Sequence, residues 1–416
     1  MEVKAGYRQT EVGVIPEDWE VVSFLELSQK ILDYRGRTPR KLGMEWGGGD
    51  IPALSAGNVK MGSIDFDEEC YFGSDVLYKH WMINGDVEKD DIIVTLEAPL
   101  GNVALIPDSR KYILSQRTIL LKLNSDRVSN NFLFQLMLSK WFQNILAENA
   151  TGSTAKGIQR KKFEKLKVPI PPLPEQRAIA TALSDVDALI TSQDKLTAKK
   201  RDIKQAAMQE LLSGKRRLPG FSGEWVDKKL GDIGECLIGL TYEPSNVKAH
   251  GLLVLRSSNV ADGELKFEDN VFVDIDVPEK IIVRKDDILI CVRNGSRDLI
   301  GKCALIDGKA EGMTFGAFMS IFRTPYGRFV FHQFQSDLIK KQIREHLGAT
   351  INQITNKSLK SFKIPFPNDE NERNAIATVL SDMDADLAAL EQKRDKTKAI
   401  KQGMMQELLT GRIRLV

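Results

Sequence analysis

The sequence predicts an α+β protein built by internal duplication: two mixed α/β domains separated by two long antiparallel coiled-coil helices, with a pseudo-two-fold relation between the halves. Three observations predict it. The stretch Glu175–Leu218 recurs without a gap at Glu372–Leu415, with about half of its positions identical. Both copies show helical periodicity and end at a glycine. The segments before them share shorter runs rich in β-branched residues between turn signals, as strands do. A repeat this long is a domain duplication, since solenoids and propellers repeat every ~20–50 residues. The expected division is residues 1–171 and 218–368 for the domains, and 172–217 and 369–416 for the helices.

The helices come first because their pattern is plainest. In the second copy Ile376, Leu380, Met383, Leu387 and Leu390 recur at steps of four and three, and Ile400, Met404 and Leu408 resume the pattern. The first copy keeps Ile179, Leu183, Val186 and Ile190, then Ile203, Ala207 and Leu211, with polar Gln193 and Thr197 between. Such a seam needs a partner seam, and the other copy supplies one. Gly214 and Gly411 are placed to stop each helix in the left-handed conformation. A generic spacer needs only heptads, so the retained Lys-Gln and Met-Gln-Glu-Leu-Leu letters (Lys204, Gln205, Met208–Leu212; Lys401, Gln402, Met405–Leu409) suggest that both copies dock one outside partner.

Within the domains, Ser55–Val59 resembles Arg256–Val260, and Lys89-Asp90-Asp91 matches Lys285-Asp286-Asp287. Gly101–Ile106 matches Gly301–Ile306, and the junction Lys167–Pro171 matches Lys363–Pro367. Asn131–Leu146 and Phe329–Leu347 read as helices. Shared letters mark a scaffold and the loops between them diverge, which is how one fold reads two targets.

Composition is permissive. Of 416 residues, 42% are hydrophobic and 28% charged, with a formal net charge of +2. Any basic surface must therefore be local. No apolar run approaches a membrane span, and the opening residues do not read as a signal peptide. Cys70, Cys236, Cys291 and Cys303 lack metal-ligand or paired spacing and read as reduced thiols, so a cytoplasmic protein is expected.

The opening YRQTEVGVIPEDWEV, the junctions KVPIPPLPEQRAIA and KIPFPNDENERNAIA, the helix ends MQELLSGKRRLPGFSGEW and MQELLTGRIRL, and the segment TLEAPLGNVALI form a set. Together they resemble the DNA specificity subunit of Type I restriction-modification systems. The resemblance covers essentially the whole chain. One departure is Asn368-Asp369-Glu370-Asn371 where the first junction has Pro172-Leu173-Pro174. The resemblance implies two target-recognition domains, each reading one half of a bipartite gapped site in double-stranded DNA. It also implies helices that bind two methyltransferase subunits carrying S-adenosylmethionine, with restriction-translocase subunits joining the full complex. This chain itself is then expected to hold no cofactor and no metal.

The residues agree in showing no catalytic motif. No adenine-methylase NPPY-like tetrapeptide is present. Gly295–Cys303 has one residue too many for a phosphate loop and Cys where Ser or Thr should hold magnesium. His80, His250, His332 and His346 are scattered, and the repeated Asp185, Asp187, Asp382 and Asp384 read as helix-face charges. Two rival readings remain at this stage: a self-contained DNA methylase or nuclease with an unfamiliar site, and a coiled-coil scaffold that does not read DNA.

Candidate DNA contacts fall in paired loops. The first holds Thr154, Lys156 and Gln159, followed by Arg160 and Lys161; the second holds Asn352, Gln353, Asn356 and Lys357. Lys and Arg displace counterions from phosphates, and Asn and Gln can pair with adenine edges. The plain alternative is solvated loops with Thr154 or Thr355 as helix caps. A second pair leaves a predicted strand in each half: Glu97 in the first, and Arg293, Asn294, Ser296 and Arg297 in the second. Arginine suits guanine and glutamate suits cytosine N4. Arg35, Arg37, Asn58, Arg117, Tyr242, Arg256 and Asn259 complete the set, with scaffold roles as the alternative.

Overall fold

The computed structural model describes residues 4–152, 155–347 and 352–415. The chain folds into two compact units, Met1–Asp194 with Lys393–Val416, and Lys195–Gln392. Each unit joins one domain to the beginning of one long helix and the end of the other. Those helices run Leu173–Leu211 and Glu370–Leu408, 39 residues each, so the units divide both helices near their middles.

In the first unit an antiparallel sheet has the order Leu100–Leu105, Ile92–Leu96, Thr118–Leu123, Ser28–Asp33. The second unit repeats it as Cys303–Leu305, Ile288–Cys291, Met319–Arg323, Glu235–Ile238. Beside each lies a smaller sheet containing one parallel pair, Ile113–Leu114 on Ile51–Leu54 and Thr314–Phe315 on Leu252–Leu255. The central strands are buried on both faces, which explains their unbroken apolar letters. The Lys-Asp-Asp match is a turn. Asp90 and Asp286 take φ of 68° and 65°, and Asp91 and Asp287 accept the N–H of Glu88 and Arg284, both at 2.8 Å.

The chain enters and leaves each domain on paired antiparallel strands, Glu20–Ser23 with Lys167–Ile170 and Trp225–Lys229 with Lys363–Pro367. That pairing sets a tryptophan beside the start of the outgoing helix. Trp19 Nε1 donates to Glu175 Oε2 at 3.0 Å, and Trp225 Nε1 to Glu372 Oε2 at 3.2 Å. Both carboxylates are fully buried. Arg414 reaches Glu175 at 2.6 and 2.8 Å, and Arg217 grips Glu372 in the same two-pronged way. A buried carboxylate is tolerable only with such partners. Gly214 and Gly411, at φ of 71° and 72°, end the two helices as expected.

The helices pair antiparallel within each unit. In the first, Lys401 meets Asp187 at 2.7 Å and Gln193 donates to Thr397 at 3.2 Å. In the second, Lys204 meets Asp384 and Lys200 meets Asp386 at 3.4 Å. Ile179, Leu183, Leu211, Ile376, Leu380 and Leu408 are buried in the domain cores, while Val186, Ile190, Met383 and Leu387 are half-buried. Ile203 and Ile400 are corrections, being 46% and 51% exposed. The 3.5-residue repeat continues unbroken through polar Gln193, Thr197 and Thr397, which are buried. It then places Lys204 and Lys401 inward, so their isoleucine neighbours fall about 100° off the seam. Met208, Leu211, Leu212, Met405, Leu408 and Leu409 also face the cores. The retained Met-Gln-Glu-Leu-Leu letters are thus largely explained by packing.

Candidate nucleic-acid interface

In the first unit the central strand Ile92–Leu96 delivers Glu97 to its C-terminal end, at the rim of the sheet. The loop bearing Lys156 closes against it. Gly157 forms an antiparallel bridge with Glu97, and the Ile158 N–H donates to the Leu96 carbonyl at 2.9 Å. Ile158 is buried and anchors the loop, leaving Lys156, Gln159 and Lys161 exposed. Thr154 lies outside the described residues. Arg117 enters from the neighbouring strand, its Nε 3.7 Å from Glu97 Oε1, with both side chains about half exposed. Its backbone takes φ of 65°, a conformation that strains a residue with a Cβ and that clusters at functional positions.

Two arginines there are already held. Arg35 binds Asp33 through Nε at 2.9 Å and Nη2 at 2.7 Å. Arg160 pairs with Glu164 at 2.6 Å and lies 3.7 Å from Asp33. Burial pushes the Asp33 carboxyl up, but the Arg35 hydrogen bonds and both guanidinium charges outweigh it and hold the group below its ordinary range. The pair therefore offers phosphate less net charge than the sequence implies. Arg37 donates to the Trp81 carbonyl at 2.6 Å and lines a cavity of about 560 Å³ with Trp46, Glu69, Tyr71 and Arg117. Trp46 and Tyr71 stack at 5.6 Å, a flat aromatic surface that sequence reading passed over.

The second unit builds the equivalent edge from different side chains. Arg293 bridges Gln353, and the Ile354 N–H donates to the Val292 carbonyl at 2.8 Å, matching the Ile158 anchor. Asn294 donates to Ser257 Oγ at 3.2 Å and accepts the Ser296 N–H at 3.0 Å. Asn352 donates to the Gly295 carbonyl at 3.0 Å, and Arg297 to the Leu347 carbonyl at 3.2 Å. Lys357 is exposed on the short helix Asn356–Ser361, which Thr355 caps by accepting the Ser358 N–H at 3.1 Å. Candidates some 60 residues apart in sequence thus converge, Arg293 to Arg297 against Asn352 and Gln353.

Several candidates serve the scaffold instead. Asn58 and Asn259 are 1% and 0% exposed, out of reach of a base edge. Each closes its own turn, accepting the Ser55 N–H at 3.1 Å and the Arg256 N–H at 2.9 Å. This fully explains why both halves keep the asparagine. Arg256 pairs with Asp269 at 2.8 Å. Asn356 ties the Cys236 carbonyl to Ser320 Oγ, both at 3.3 Å. Tyr242 packs on Leu240, Val254 and Val273. In the other direction, Phe318 is 57% exposed beside Arg293 and was missed, because an aromatic in a turn gives no periodic signal.

One scaffold used twice, with matched polar loops bearing different side chains, is the architecture of a duplicated sequence reader. The chain belongs to the family described as Type I restriction modification DNA specificity domain, whose model matches it twice, at residues 16–200 and 222–401. Among curated relatives it is 25% identical to the Type I restriction enzyme MjaVIII specificity subunit of Methanocaldococcus jannaschii, covering 96% of this chain and 94% of that one. It is 31% identical to the putative MjaX specificity subunit of the same organism over 51% of this chain and 47% of that one. The fold is that of the Type I restriction-modification S subunit from M. genitalium, with a TM-score of 0.60 at 16% identity over 98% of both chains. Among the described residues no cluster of His, Cys, Asp or Glu could hold a metal ion, and no helix is long and apolar enough to cross a membrane.

Proposed function

We propose that this chain is the non-catalytic specificity subunit of a Type I restriction-modification complex, each unit reading one half of a bipartite gapped site in double-stranded DNA. The observation that carries this is the matched pair of edges. Glu97 with the Gly157 loop and Arg293 with the Gln353 loop occupy one scaffold position and present different chemistry. Exposed Lys156, Lys161 and Lys357 supply phosphate contacts that orient the protein without reading sequence.

The long helices dock two methyltransferase subunits, which hold the S-adenosylmethionine, and restriction-translocase subunits complete the assembly. Support for docking comes from apolar residues left on the outer helix faces, Leu189 and Ile400 in the first unit and Leu196 and Ile203 in the second. The test is to co-express the chain with its cognate methyltransferase and map methylated adenines across the host genome. One two-part sequence with a fixed gap is expected. Scattered methylation with no common sequence would overturn the reading, and methylation by the purified chain alone would replace it with a self-contained enzyme.

A further inference from the structure

The sharpest divergence between the two edges lies in one couple of side chains. The Leu96 N–H donates to the Arg117 carbonyl at 3.0 Å, and the Val292 N–H to the Phe318 carbonyl at 3.1 Å. Strand register agrees, since Thr118 opposes Thr95 and Met319 opposes Cys291. Arg117 and Phe318 thus hold one structural position, and Glu97 and Arg293 hold the position facing it. The first unit fills the couple with Glu97 and Arg117, an ion pair at 3.7 Å. The second fills it with Arg293 lying over the Phe318 ring, 5.1 Å from its centroid.

We propose that Phe318 is a base-contacting, specificity-determining residue that acts as one reading element with Arg293. The inference rests on the DNA-reading function proposed above. Among the described residues no carboxylate pairs with Arg293, so its donors are not engaged as those of Arg35 and Arg256 are. The ring steadies the guanidinium over its face, and the N–H donors left without a carboxylate are those that can meet guanine O6 and N7. The uncovered ring is placed to pack on the C5-methyl of an adjacent thymine. The backbone beneath is pinned, because the Phe318 carbonyl accepts from both Val292 and Arg293 at 3.1 Å. The fold does not require an aromatic here, as the equivalent position takes Arg117. An isolated exposed phenylalanine needs no explanation. This one is stacked with a free arginine at the converging loops, and its counterpart is again a charged couple.

The experiment uses the complex with the methyltransferase and selects bound DNA from a library randomised in both half-sites. For Phe318→Ala, discrimination at one or two adjacent base pairs of a single half-site should fall by about tenfold. The other half-site and the gap should be unchanged. Phe318→Leu, which keeps apolar contact and loses the stack, should retain thymine preference but weaken guanine preference. The double variant Arg293→Glu, Phe318→Arg should change the preferred base at the same position. A uniform loss of affinity, or unchanged preferences in all three variants, would overturn the proposal while leaving the subunit's function standing. A wild-type complex that selects no gapped sequence would overturn the function itself and this inference with it. Thermal melting of each variant separates lost reading from lost fold.

Discussion

In the first unit Glu175 receives Trp19 and Arg414; in the second, Glu372 receives Trp225 and Arg217 in the same arrangement. At the ends of the central strands the likeness stops: Glu97 faces Arg117 in one unit, and Arg293 faces Phe318 in the other. The frame is constrained because burying a carboxylate leaves few acceptable partner sets. The edge is half exposed, so many side chains fit without cost to folding. Recognition can therefore diverge while the joints between domains and helices stay fixed.

Matched joints should fail on a similar scale. Glu175→Ala and Glu372→Ala each strand a tryptophan N–H. Glu372→Ala also strands Arg217, whereas Arg414 keeps Asp18 at 3.0 and 2.7 Å. Each should cost about 2–4 kcal/mol, reduced from the fully buried case because Arg414 and Arg217 are partly exposed, with the larger loss at Glu372. Denaturant titration of the two variants checks it. Losses differing by more than about 2 kcal/mol would break the equivalence of the two frames.

Between frame and edge lies a pair where the units depart inside the core. Gln135 donates to Asp187 at 3.0 Å in the first unit, and the matching residue in the second is His332. Its Nε2 lies 3.1 Å from Ser381 Oγ, and its Nδ1 is 4.0 Å from Asp384, too far to bond. Burial, aided by the nearby Lys204 charge, drives the imidazole down to about 3, against a weaker opposing interaction with the Ala377 backbone carbonyl. A histidine depressed in the folded state is neutral there while the unfolded chain protonates below about 6.5. Stability is thus intact above about pH 6.5 and is lost as pH falls from there towards 3, by roughly 2 kcal/mol at pH 5. His332→Gln, which copies the first unit, should remove that loss and leave pH 8 stability nearly unchanged. Melting curves at pH 8 and pH 5 decide. A pH 5 loss as large in the variant as in the wild type would assign the acid sensitivity elsewhere.

Much of this frame was legible in the sequence. The duplication, the helix stops at Gly214 and Gly411 and the outer seam residues followed from periodicity and identity between copies. The buried joints did not, because Glu175 and Glu372 are ordinary first-turn acids until the strand pairing brings Trp19 and Trp225 beside them. The candidate loops were legible in outline. What sequence could not separate was a polar residue aimed outward from one closing its own turn: Asn58 and Asn259 have the letters of readers and the burial of scaffold. Phe318 shows the converse, an apolar letter left outside by the fold.

The last third of each long helix offers the smallest effect and a clean contrast between folding and partnership. Ile203 and Ile400 occupy matching places and point away from the seam, 46% and 51% exposed, while neighbouring Lys204 and Lys401 turn inward to Asp384 and Asp187. Ile203→Ser and Ile400→Ser should each shift stability by less than about 0.5 kcal/mol, as surface changes do. Met208→Ser, five residues on but within the core, belongs with the larger losses. If the exposed isoleucines form the docking faces for the two methyltransferase subunits, the double variant should fold normally yet retain less methyltransferase on co-purification. Full retention with an unchanged melting point would assign docking to another helix face. A stability loss above about 2 kcal/mol would instead return both isoleucines to the seam, as their spacing alone predicts.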